Sequence, residues 1–102
     1  MKAPPPASVD PVDLGPALAE AGLARRHGVL EADGVSLAEI AEQVGTPVYV
    51  YDAGVIGRRY RALDRALAAV PHRICFAVKA NSTLAVLRIL RDLGAGADIV
   101  SG

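Results

Sequence analysis

From Arg73 to Gly102 the chain places one amphipathic helix between two short apolar runs, and no other feature limits its folding as much. Arg73 to Lys79 is too short for an independent helix and ends against Asn81-Ser82, residues that cap helices, so it predicts a buried strand. Thr83 to Leu93 sets Leu84, Leu87, Leu90 and Leu93 in line and closes on Gly94 and Gly96, which predicts a helix with one apolar face. Ala97 to Ser101 then begins a second strand. A strand, a helix and a strand with short connections form a βαβ unit, whose strands run parallel through a right-handed crossover. Two parallel strands cannot bury both of their faces by themselves. The expectation is therefore an α/β fold that is incomplete on its own, these residues being the N-terminal portion of a larger protein. No internal repeat offers another cover for the sheet.

Upstream, five of the seven prolines (Pro4, Pro5, Pro6, Pro11 and Pro16) fall within residues 1–16, a density that precludes a regular helix or a central strand. This stretch reads as a flexible leader. Pro16 to Arg26 predicts a short helix with proline in its first turn, and Val29 to Val35 two short extended pieces about the Asp33-Gly34 turn. Ser36-Leu37-Ala38-Glu39 is a capping box, so a helix opens there, with Leu37, Ile40, Ala41 and Val44 on one face and Gly45 at its end. Pro47 to Tyr51 is β-branched and aromatic and predicts a strand. Asp52 caps the segment that follows, where Ile56, Tyr60, Leu63, Leu67 and Val70 form a continuous apolar stripe and predict a helix from Ala53 to Val70, stopped by Pro71. Arg58, Arg59, Arg61, Asp64 and Arg65 lie off that stripe, either as a basic binding face or as a solvated outer face. The resulting division is a leader with a short helix (residues 1–26), a lead-in (27–52), and a helix-strand-helix-strand unit (53–102).

Composition narrows the classes of function. Eleven Lys and Arg balance eleven Asp and Glu, so the basic excess that phosphate contacts require is missing, and no nucleic-acid partner is expected. The single cysteine, Cys75, has no partner for a disulfide or for a paired-cysteine metal site, and no metal is expected. His27 and His72 lie near element ends without ligand partners at metal spacing, as solvated or capping histidines do. No stretch approaches the ~20 apolar residues of a membrane span, and prolines occupy the place of a signal peptide's apolar run, so the expected setting is cytoplasmic.

Among two lysines and nine arginines, Lys79 has the informative position, at the C-terminal end of the expected strand. In an extended run Cys75, Ala77 and Lys79 share one face and Ile74, Phe76 and Val78 the other, which leaves small groups beside the amine and room for a bound ring. Ligands of parallel α/β folds sit at strand carboxyl ends. A desolvated lysine loses proton affinity, and the neutral amine can form a Schiff base with a carbonyl. A lysine at a strand end also snorkels to solvent, and spacing alone does not choose between the two.

Phe76-Ala77-Val78-Lys79-Ala80-Asn81 resembles the cofactor-lysine signature of the alanine racemase and ornithine decarboxylase superfamily, whose members carry pyridoxal 5'-phosphate on a TIM-type (β/α)8 barrel. Gly45-Thr46-Pro47-Val48-Tyr49-Val50-Tyr51-Asp52 and the run from Gly94 to Gly102 match as well. With the lead-in from Gly28 to Gly45, and with Ser82-Thr83-Leu84 where racemases carry Tyr-Gly-His, the resemblance is to the diaminopimelate decarboxylase branch and covers residues 27–102. It implies that these residues open a PLP-binding barrel, preceded by a lead-in that joins a C-terminal β-domain. It further implies that Lys79 is the catalytic, cofactor-holding residue, that Asp98 stands beside it at the next strand end, and that Ala77 lies under the cofactor ring. The implied activity is decarboxylation of meso-diaminopimelate to L-lysine, by a homodimer with its site at the subunit interface. Other readings stay open: a decarboxylase of another basic amino acid or polyamine precursor, a non-catalytic PLP carrier, or a small interaction module without cofactor.

Overall fold

The computed structural model describes residues 13–100. The proline-rich leader to residue 12 and the final Ser101-Gly102 lie outside them. The first unit opens with α1 (Gly15–Glu20), whose Pro16 occupies the first turn, where the missing N–H has no helical partner in any case. Three antiparallel strands follow in the order β1-β2-β3: β1 (Leu23–Arg26), β2 (Val29–Ala32) and β3 (Val35–Ser36). Each junction is a two-residue turn. Arg26 pairs with Val29 across His27-Gly28, and Ala32 with Val35 across Asp33-Gly34. All four turn residues have positive φ, between 49° and 78°. That is the backbone a type I′ turn requires, and its twist matches that of the strands it joins.

The helix expected to run from Pro16 to Arg26 is thus half as long, and its second half is β1. A helical Leu23–Arg26 would have left β2 without a partner on that edge. The two extended pieces expected about Asp33-Gly34 are present as β2 and β3. The second helix, α2 (Leu37–Val44), starts at the expected cap, with the Glu39 amide donating to Ser36 Oγ at 3.3 Å. It ends at Gly45.

Residues 47–51 do not form the expected strand. Their β-branched and aromatic composition suits one, but a strand exists only against a partner, and none among the described residues reaches it. Val48, Tyr49, Val50 and Tyr51 are all exposed, Tyr49 at 87%. Asp52 then caps α3 (Ala53–Ala66), its Oδ1 accepting from the Val55 amide at 3.1 Å. This helix stops one turn short of the expected Val70: the Ala68 and Val70 amides donate to Arg65 and Leu67 carbonyls, in the tighter spacing of a fraying last turn ahead of Pro71.

The second sheet pairs β4 (Cys75–Ala77) with β5 (Gly96–Asp98) in parallel, and α4 (Leu84–Leu93) is the crossover between them. The βαβ reading of the sequence stands. The strands are shorter than the runs that announced them. Val78–Ala80 forms a 3-10 turn rather than continuing β4, and Asn81 Oδ1 accepts from the Thr83 amide to start α4. Gly94 closes α4 in the left-handed conformation. Helices α3 and α4 pack on each other beside this pair. An apolar groove of about 440 Å³ remains between them and β4, lined by Ile56, Tyr60, Leu63, Val86 and Leu90 among others. Of the apolar side chains described, Ala32 and Val86 are buried, one in each unit.

Candidate active site

Parallel pairing brings the C-terminal ends of β4 and β5 side by side, with Cys75, Phe76 and Ala77 opposite Gly96, Ala97 and Asp98. The expected site residues come from this one edge. Ala77 ends β4, Asp98 ends β5 directly across from it, and Lys79 follows two residues after Ala77. Lys79 and Asp98 are exposed, and Ala77 is half-buried.

Lys79 departs from the extended face expected of it. It belongs to the 3-10 turn Val78–Ala80, so strict alternation stops at Ala77 and does not carry Cys75, Ala77 and Lys79 along one face. Its amine is solvated, the second of the two settings the sequence leaves open, since among the described residues nothing covers the strand ends. Cys75, expected in a buried strand, is exposed as well. Cys75 and Ala77 contribute to the groove facing α3 and α4, Val78 lines a second apolar groove of about 380 Å³ against α4, and Phe76 lines both. Lys79 lines neither.

Electrostatically the edge is simple. Among the described residues Lys79 forms no ion pair, and the Asp98 carboxylate lies beyond ion-pair distance of it. The only amine described is therefore uncommitted, next to a carboxylate that is also uncommitted. No group of His, Cys, Asp or Glu among the described residues is arranged to hold a metal ion. Nor is any described helix long and apolar enough to cross a membrane.

Residues 53–102 match a family described as pyridoxal-dependent decarboxylase, pyridoxal binding domain. That segment belongs to the family. The chain's matched segment starts at α3 and takes in β4, Lys79, α4 and β5. Diaminopimelate decarboxylase of Pseudomonas fluorescens is 57% identical to it over 77 residues, which are 76% of this chain and 18% of that protein. The enzyme of that name from Pseudomonas aeruginosa is 58% identical over 76 residues, again 18% of its length. Among solved structures, a diaminopimelate decarboxylase from M. jannaschi superposes with a TM-score of 0.77 at 34% identity, over 83% of this chain and 21% of that one. The crystal structure of AQ1208 from Aquifex aeolicus gives 0.74 at 46% identity, over 79% and 20%. The chain thus spans about a fifth of the length of the relatives it matches. The resemblance read from the motifs and the α/β fold agree with these comparisons.

The antiparallel lead-in is what the sequence reading located least well. Its signal is the pair of X-Gly turns, His27-Gly28 and Asp33-Gly34, six residues apart, of which only the second is among the turns expected above.

Proposed function

We propose that Lys79 holds pyridoxal 5'-phosphate through its side-chain amine, and that the whole protein decarboxylates meso-diaminopimelate to L-lysine. The observation that carries this reading is the position of an uncommitted primary amine one turn past the end of a parallel strand, inside a segment of the pyridoxal-binding family. The donor set fits the cofactor: an amine is the group that bonds a carbonyl carbon, and Asp98 at the adjoining strand end offers a carboxylate to a cation or a donor.

When bound, pyridoxal phosphate supplies an electron sink for the pair left behind by carbon dioxide. Lys79 Nζ is the group that would hold the cofactor, through its carbonyl carbon. When not so engaged, Lys79 Nζ would be the group that carries a proton to and from the reacting carbon. Ala77, half-buried and without a long side chain, leaves the space in front of the strand pair open to a flat ring. Asp98 orients what binds there by accepting hydrogen bonds. The two exposed strand ends become a closed site when the rest of a barrel packs on them, which supports assignment of the activity to the complete protein. The same resemblance supports a cytoplasmic homodimer with the site at the subunit interface. The choice of substrate rests on relatives that share this name at more than half identity over the matched region.

Assay of the full-length protein on meso-diaminopimelate, ornithine and arginine tests the reading. Release of carbon dioxide from diaminopimelate alone is the expected result. Turnover of ornithine without diaminopimelate would replace the substrate, and cofactor binding without turnover of any of them would make the protein a carrier.

A further inference from the structure

The connection from α3 to β4, residues 67–74, is tied down by one side chain. His72 Nδ1 lies 2.9 Å from the Val70 carbonyl oxygen, and Nε2 lies 2.6 Å from Asp64 Oδ1 on α3. Both partners are acceptors only. A neutral imidazole carries one N–H, so one of these contacts would set a ring lone pair against an oxygen lone pair at hydrogen-bond distance. The geometry is satisfied on both sides when both nitrogens carry protons. The backbone of Leu67, at the C-cap of α3, also favours the protonated ring.

We propose that His72 is a doubly protonated clamp that fastens the α3–β4 connection to α3, and that loss of a proton to solvent releases the connection as pH rises. The groups around the ring agree. The Val70 carbonyl and then the Asp64 carboxylate raise the proton affinity of His72 above the ordinary value, against an opposing effect of burial. Asp64 is the one charged group acting on the ring among the described residues. Arg73, the neighbouring cation, instead has its Nε 3.3 Å from where a Cβ on Gly96 of β5 would stand. Two residues separate His72 from Cys75, the first of β4, so the clamp sets how firmly that strand is delivered to its pairing with β5. This inference is independent of the role of Lys79.

The direction of the pH effect follows from linkage. A histidine that binds its proton more tightly when folded contributes stability that is full below its unfolded value, about 6.5, and is lost as pH climbs through the higher folded value. The test is histidine C2-proton exchange and backbone amide exchange, both read by mass spectrometry on peptides covering residues 67–74 of the full-length protein, from about pH 5 to pH 9. For the unsubstituted protein a His72 midpoint above ~6.5 is expected, with amide protection in this segment falling through that midpoint after correction for intrinsic exchange. Asp64→Asn should lower the midpoint, and His72→Gln should remove the pH-dependent step in amide protection. A midpoint of the unsubstituted protein at or below ~6.5, or one that Asp64→Asn leaves unchanged, would overturn the clamp. The first of these criteria holds even where a variant fails to fold.

Discussion

Lys79 and Asp98 differ in what their loss should do. In the full-length protein Lys79→Ala is expected to lower kcat by roughly a thousandfold or more and to abolish the visible absorption of bound cofactor, because no other described side chain can form the same bond. Asp98→Asn keeps the shape and removes the charge, so kcat/KM on diaminopimelate should fall by about tenfold to a hundredfold, the size of one charge-assisted hydrogen bond. Steady-state kinetics and an absorption spectrum on each variant check both. At this scale the sequence was legible where a residue's chemistry is local: Ser36 and Asp52 both cap the helices they were expected to cap. The surroundings of Lys79 were not legible. Alternation along a strand predicts a face only while the strand lasts, and this one yields to a 3-10 turn after Ala77.

Elements were readable in proportion to how little they depend on distant partners. Helices α2 and α4 carry their start signals, apolar faces and closing glycines within a dozen residues, and they occur within a residue of the expected bounds. Strands need partners, so the run at residues 47–51, with the composition of a strand and no neighbour, stays irregular. Leu23–Arg26, with no such composition, becomes a strand because the His27-Gly28 turn folds it onto β2. The junction between the lead-in and α3 offers a sharper prediction. Gly22 and Gly28 share a φ of 78°, but a Cβ on Gly22 would stand 2.3 Å from Val55 Cγ2, whereas one on Gly28 meets nothing within 4 Å. Gly28→Ala should therefore cost only the backbone strain, about 1 kcal/mol, and Gly22→Ala that strain plus about 1–3 kcal/mol of overpacking. Denaturant midpoints of the two variants of the full-length protein give the comparison. Ser36→Ala should cost about 0.5–2 kcal/mol by the same measurement, through loss of the α2 cap.

Across the molecule, burial is too thin for the chain to hold its shape well unaided. Ala32 and Val86 are the buried apolar side chains among the described residues, and Val48, Tyr51, Leu63, Leu84 and Ile99 are among the large ones left exposed. The 102-residue chain by itself is expected to bind ANS and to melt without a sharp transition, as observed by fluorescence and calorimetry. The α/β class was legible because one crossover suffices to imply it, while the surfaces that cover β4 and β5 were not, since a parallel pair says only that its faces must be covered. The central claim remains that a lysine at this strand end carries the cofactor. Borohydride reduction of the full-length protein from its own cells, followed by a peptide map, tests it most directly. A reduced pyridoxyl group on the peptide containing Lys79 and nowhere else is the expected result, and an unmodified Lys79 peptide beside a pyridoxyl group on another lysine would take that role from Lys79.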